Sequence, residues 1–356
     1  PSLMAWQLNY LFWRHTGRSR RPAENIRVAA VFCRMMQSHM LAQHTGMDDG
    51  MISARHIRLL AFGFVSAAML VCSATGAENS ASIPKLSGHW SRPNFNLEQP
   101  DSGPKFIANT LKKPDGTIDD DTARVGDYTN PILTPEAAKI LREHGDLSRT
   151  GKAISDPHNQ CWPEAPPFTL TIQVEVLLLQ QKDEVTLVYV NGQNVRHVRM
   201  NARHPSPVTP SWLGDSVGHY EGDTLVIDTV GIKPSPWPVI DRYGTPHSDA
   251  LHVVERYRLI GGEEAAAAMR KHRREFTTAP AIPRFGIYGA EFDTDMSKPG
   301  LQVEVTVEDS KMFTTPWKGL VTYRPASGWP EMTCAESLTQ SAGVESKLPT
   351  ANKPDF

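Results

Sequence analysis

From Thr171 onward, apolar and polar residues alternate with a period of two, the spacing that turns one side of a strand to a core and the other to solvent. The pattern predicts strands in "TIQVEVLLLQ", "EVTLVYV", "NVRHVRM", "SWLGDSVGHY", "DTLVIDTV", "LHVVERYRLI", "LQVEVTVED" and "WKGLVTYRP". The links between them are short, and Asn191-Gly192 is the strongest hairpin signal. A further short strand opens at "LSGHWSRP", which carries Gly88 and Trp90. Two segments carry a helical pattern instead. Thr134 can cap, Pro135 occupies the first helical position, "EAAKILREH" continues and Gly145 stops the helix. "GGEEAAAAMRKHRREF" is alanine-rich, with acids first and bases last as the helix dipole favours.

Eight or nine strands joined by consecutive hairpins predict a mainly β fold. The expected form is an antiparallel up-and-down barrel of the lipocalin-like kind, whose interior holds one small ligand. A β-sandwich is the alternative. The first helix is then an accessory, and 261–300 a helical insertion between two strands.

The strand faces point to chemistry. In "LHVVERYRL", Leu251, Val253, Glu255, Tyr257 and Leu259 share one face, while His252, Arg256 and Arg258 share the other. An acid therefore sits in the middle of an apolar row. Val303, Val305, Val307 and Asp309 form a similar inward row. An inward carboxylate is costly unless paired, and Arg199 and Arg324 are the strand-borne candidates for a partner.

"SWLGDSVGHYEGDTLVIDT" concentrates Gly, His, Glu and Asp around one predicted turn. Gly222 and Asp223 need no more than a tight turn to explain them, whereas His219 and Glu221 are not required by the turn. Zinc would need a third ligand such as His204, His247 or His252, and no HExxH or CxxC spacing is present, so no metal is expected. "GDSVG" matches the G-x-S-x-G elbow around Ser216, but that elbow belongs to a strand-to-helix turn, not a hairpin. "PHSDALH" places Ser248, His247, Asp249 and His252 close in sequence, which is not how catalytic triads are assembled.

Two function classes share one predicted cavity. The first is binding of a small, partly apolar organic molecule, with Arg199, Trp212, Tyr220, Asp228, His252, Tyr257, Asp309 and Arg324 as candidate contacts. The second is a hydrolase or lyase using His204, His219, Glu221 and Glu255 as acid/base groups. A structural envelope protein is a third reading and expects no cavity. No nucleotide, flavin or haem site is indicated, and oligomeric state is left open.

Composition narrows the setting. The 356 residues are 40% hydrophobic and 21% charged, a globular balance, and a formal net charge of −2 leaves no basic footprint for nucleic acid. From Met51 the chain has a basic start at Arg55 and Arg58, an apolar run from Leu59 to Cys72, and small residues at Thr75-Gly76-Ala77. This is the pattern of a secretory signal peptide over 51–77, cleaved near Ala77, with a run too short for a retained membrane anchor. Residues 1–50 are read as non-structural upstream sequence, 78–340 as one β-rich domain and 341–356 as a flexible tail. The mature chain would be periplasmic or secreted. It keeps Cys161 and Cys334, an even pair that in an oxidising compartment predicts one disulfide.

"HPSPVTPSWLGDSVGHYEGDTLVIDTVG", "GTPHSDALHVVERYR", "LQVEVTVEDSKMFTTPW" and "CAES" resemble the motifs of a widespread family of exported bacterial proteins, common in Acidobacteria and Proteobacteria, with no established function. The resemblance spans about Leu86 to Leu338. Tyr220 stands where the family has Trp, "NARHP" replaces its usual turn before His204, and the insertion is unusual. The resemblance implies export and a shared core, and no chemistry.

Overall fold

The computed structural model describes residues 83–190, 194–234, 236–279 and 281–329. The chain divides into two compact units, Pro1–Asn79 and Ser80–Phe356, and every described residue belongs to the second. The predicted signal peptide, the Asn191-Gly192 turn, Cys334 and the C-terminal tail lie outside the described residues.

Ten strands form one sheet among the described residues: β1 Gly88–Ser91, β2 Glu175–Gln180, β3 Glu184–Tyr189, β4 Val195–Met200, β5 Asp215–Glu221, β6 Thr224–Val230, β7 His252–Ile260, β8 Glu291–Phe292, β9 Gly300–Glu308 and β10 Trp317–Ser327. Nine of them follow one another as β1-β2-β3-β4-β5-β6-β7-β9-β10, and β10 pairs back onto β1 to close a barrel. The mainly β fold is as the alternation predicts, and closure leaves no place for the sandwich. β8 is a two-residue addition at the end of β10.

The barrel is mixed and not wholly antiparallel: β4 and β5 run parallel, while the other pairs are antiparallel. Strand number requires this. Around a closed ring the direction must return to its starting value, so antiparallel joints come in even numbers, and nine strands leave at least one parallel joint. The 201–214 segment carries the chain back to start β5 at the end where β4 started. The joint is short, with only Arg199 opposite Val217 and Met200 opposite Gly218, whereas β7 and β9 pair from His252–Glu308 to Ile260–Gly300.

Among the described residues three helices lie outside the barrel wall: α1 Pro135–Arg149, α2 Phe168–Ile172 and α3 Gly262–Arg273. Thr134 caps α1 as expected, its Oγ1 accepting from the Ala137 amide at 3.3 Å. Gly145 does not end this helix, which runs on to Arg149. A Cβ at Gly145 would stand 3.0 Å from Val125 Cγ1, so the glycine serves close packing, and the chain turns away at Gly151, whose φ is 77°. Thr171 and Ile172, expected in the second strand, close α2 instead. The predicted insertion begins with α3, which buries Ala265, Ala266 and Met269. No described helix is long and apolar enough to cross a membrane.

Val185, Leu187, Val198, Leu225, Ile227, Val253, Val303, Val305 and Val321 are fully buried in one core cluster, the inward rows of successive strands. At about 25 cal/mol per Å² of apolar surface, these rows are the main source of stability.

Candidate functional site

Glu255 does face inward, and it is fully buried. Its partner is Arg196 rather than Arg199 or Arg324: Arg196 Nη2 lies 2.5 Å from Glu255 Oε2. On β4 the residues Arg196, Val198 and Met200 point in, so Arg199 points out. The Tyr257 hydroxyl donates to Glu255 Oε1 at 2.8 Å. Arg196 also donates to Ser216 Oγ at 3.1 Å and Thr229 Oγ1 at 2.6 Å, which ties β4, β5, β6 and β7 together from inside. Burial opposes the Arg196 charge, but Glu255 more than offsets this and raises its pKa. Burial and the Glu255 charge push the Tyr257 phenol well above its usual value. Glu255 and Tyr257, expected to line a cavity, are both buried and hydrogen-bond one another.

The outer face of the same joint gathers other expected residues. His204, on the 201–214 connection, places Nδ1 2.6 Å from Asp215 Oδ1 and Nε2 3.1 Å from Asp228 Oδ1. His252 Nε2 reaches the same Asp228 oxygen at 3.1 Å, and Arg199 Nη2 donates to both Asp215 oxygens at 2.8 Å. His219 contacts Glu221 at 3.0 Å, and Arg256 pairs with the other Glu221 oxygen. His204, His219 and Glu221 are therefore on the opposite side of the wall from Glu255, and the four do not share one cavity. Among the described residues no group of three or more His, Cys, Asp or Glu side chains is placed to hold a metal ion.

This outer chain makes stability depend on pH. The hydrogen bond from His252 is the main reason the Asp228 pKa is lowered, and the same bond raises that of His252 against partial desolvation. A raised histidine contributes fully below its unfolded value of about 6.5 and loses that contribution as pH climbs through the folded pKa. A lowered aspartate contributes above about 3.9 and loses it as pH falls through the folded pKa. The pair thus acts in a window that extends past both limits. An NMR titration is expected to place the His252 ring above about 6.5, and Asp228→Asn to bring it down. A His252 pKa at or below that value in the unaltered protein would mean that the pair does not form in solution.

Three other candidates are structural. Asp309 accepts from the Ser248 amide at 2.6 Å, Ser248 Oγ at 2.8 Å and the Lys311 amide at 3.1 Å, fastening two turns. Arg324 donates to the carbonyls of Lys298, Asp295 and Asp293, which clamps the insertion onto β10. Tyr220 accepts from Gln180 Nε2 at 2.7 Å, towards the other end of the barrel.

Trp212 has a different setting. It lines a narrow cleft of about 30 Å³ at the end of the barrel where β5 and β7 begin and β6 ends. The Trp162 ring meets Trp212 edge-on at 4.4 Å between centroids and Trp237 at 5.2 Å. Pro163, Pro166, Phe168, Ile232 and Leu251 extend the apolar wall, and Lys233 Nζ sits 4.8 Å above the Trp212 ring. His247 also lines the cleft. Burial lowers its pKa, against the hydrogen bond that its Nδ1–H donates to the Ser248 carbonyl at 3.0 Å. Beneath, the buried Glu164 contacts His158 Nδ1 at 2.7 Å and accepts from Gln173 Nε2 at 2.6 Å, which fixes the loop carrying Trp162. Trp162, Trp237 and Lys233 carry no strand or helix period. The available clue was local, since each tryptophan is followed by proline in "CWPEAPP" and "PSPWP".

Comparison of the chain with protein-family models, with curated proteins and with solved structures finds no match.

Proposed function

We propose that this protein is an exported binder of a small, partly apolar organic molecule, seated in the tryptophan cleft at the barrel end. The observation that carries the reading is the meeting of Trp162, Trp212 and Trp237 on one proline-framed wall with a single ammonium, Lys233, at its edge. Ligand pockets are mostly apolar surfaces with a few polar groups that set orientation, and this cleft has that composition; at about 30 Å³ it takes the edge of an aromatic or apolar group rather than a whole molecule. Aromatic faces bury large areas at little entropic cost, and Lys233 would favour an acidic group on the ligand. Export rests on the signal-peptide pattern from Met51. A disulfide between Cys161 and Cys334 would anchor the chain immediately beside Trp162.

The test uses 8-anilinonaphthalene-1-sulfonate, an aromatic probe with one anionic group. Saturable one-site binding is expected, with Trp212→Ala weakening it at least tenfold while thermal unfolding shifts little. Equal binding by the two proteins would remove the cleft as the site.

A further inference from the structure

A second cleft, of about 230 Å³, opens between the C-terminal half of α1, the 120–124 segment and Arg242-Tyr243. Its charges are unevenly committed. Asp120 has both oxygens occupied: Oδ1 accepts from Asn109 Nδ2 at 2.8 Å, and Oδ2 accepts from Asn96 Nδ2 at 2.7 Å and Arg242 Nη1 at 3.2 Å. Asp121 is exposed and pairs with Lys113 at 2.7 Å. Asp156 is buried, accepts from the Asn159 amide at 2.8 Å, and is moved by desolvation towards its neutral form, although the charges of His158 and Arg124 act against this and Asp156 in turn supports the charge of Arg242.

The cations are not spent in the same way. Among the described residues the Arg124 guanidinium and the Lys152 ammonium make no hydrogen bond or ion pair, yet both line the cleft. The Arg242 side chain is 7% exposed, lies over the Phe95 ring at 4.7 Å, and keeps a buried Nε without a hydrogen-bond partner. Two guanidinium groups facing one cleft repel each other, and a buried N–H without an acceptor costs about 1–3 kcal/mol. One oxyanion between them would relieve both. The wall is also held in place, because His144 Nδ1–H donates to the Gly244 carbonyl at 2.7 Å. A Cβ at Gly244 would fall 2.5 Å from that ring nitrogen, at a φ of 82°.

We propose that this cleft is a binding site for a small oxyanion, a carboxylate or phosphate group held by Arg124, Arg242 and Lys152. Guanidinium groups match such groups in two-point geometry, and the lysine adds a mobile third charge. The site shares no lining residue with the tryptophan cleft and does not depend on that cleft binding anything.

Isothermal titration of the full chain with inorganic phosphate, and separately with succinate, at ionic strength held constant with chloride, tests the assignment. Saturable one-site binding of at least one of them is expected, weakened at least tenfold by Arg124→Gln and less by Lys152→Gln. Phosphate alone binding assigns a phosphate ligand, and succinate alone a carboxylate. Arg124 is half-buried at the cleft, and an unchanged unfolding temperature in Arg124→Gln shows that the variant folds. Failure of both anions to saturate, or equal affinity in Arg124→Gln, overturns the proposal.

Discussion

Arg196→Met is expected to destabilise the barrel by about 3–5 kcal/mol, the cost typical of leaving one member of a buried ion pair without the other. The Glu255 carboxylate is fully buried, and among the described residues only the Tyr257 hydroxyl would remain after the change as a side-chain hydrogen-bond donor to it. Ser216 and Thr229 would also lose the guanidinium that links them across β5 and β6. Glu255→Gln alone should cost about 3 kcal/mol for the mirror reason, an arginine left buried beside a neutral amide. The double variant Arg196→Met/Glu255→Met removes both charges and is expected to recover most of the loss, since well-packed apolar residues commonly replace buried ion pairs without penalty. Urea unfolding of the unaltered protein, Arg196→Met, Glu255→Met and the double variant gives the coupling directly. A loss under 1 kcal/mol for Arg196→Met would show that water reaches Glu255. That result would also return Glu255 to the list of ligand-facing groups.

Gly218→Val gives a prediction whose sign is diagnostic. Valine is among the best strand formers and glycine among the worst, so propensity alone predicts a gain. The joint between β4 and β5 predicts the reverse. A Cβ on Gly218 would lie 2.9 Å from both Met200 Sδ and Val198 Cγ1 and 3.3 Å from the Val226 carbonyl oxygen. Met200 can swing away, but Val198 is fully buried and has nowhere to go. Valine should therefore destabilise by about 1–3 kcal/mol, the usual range for overpacking. Thermal unfolding of the purified variant decides, and a raised midpoint would mean that the joint is looser than its atomic contacts indicate.

The strands were legible in the sequence because most of them bury one face, which leaves a period-two record. The inward row of β7 was legible for the same reason, Val253, Glu255 and Tyr257 all being buried. β4 was not. Val195 and Val198 are three apart, so they fall on opposite faces and the pattern does not choose between Arg196 and Arg199; Val195 is 40% exposed. Only Met200, in phase with Val198, favours the correct face. The parallel joint left no trace in the alternation, which is the same for either strand direction, and follows only from an odd strand count. Of the candidate site, Trp212 was recognised. Trp162, Trp237 and Lys233 come from separate irregular segments, where no local pattern brings residues together. His204, Asp215, Asp228 and His252 were visible as chemical groups, but nothing in the sequence distinguished an external polar clasp from a cavity.

The unequal lengths of the barrel's joints have a dynamic consequence. A closed ring opens first where the fewest ladder bonds must break, and the β4–β5 joint is one of two in the wall held by only two paired positions, the other being β1–β10. Arg196 inside and Arg199, Asp215 and His204 outside are the side chains that resist opening at β4–β5. Trp212 lies on the connection that spans the same joint, between His204 and the start of β5. A molecule that grips Trp212 binds the closed ring better than the opened one. By linkage it then suppresses amide exchange in β4 and β5, so that occupancy of the cleft and the breathing of the wall become two readings of one equilibrium.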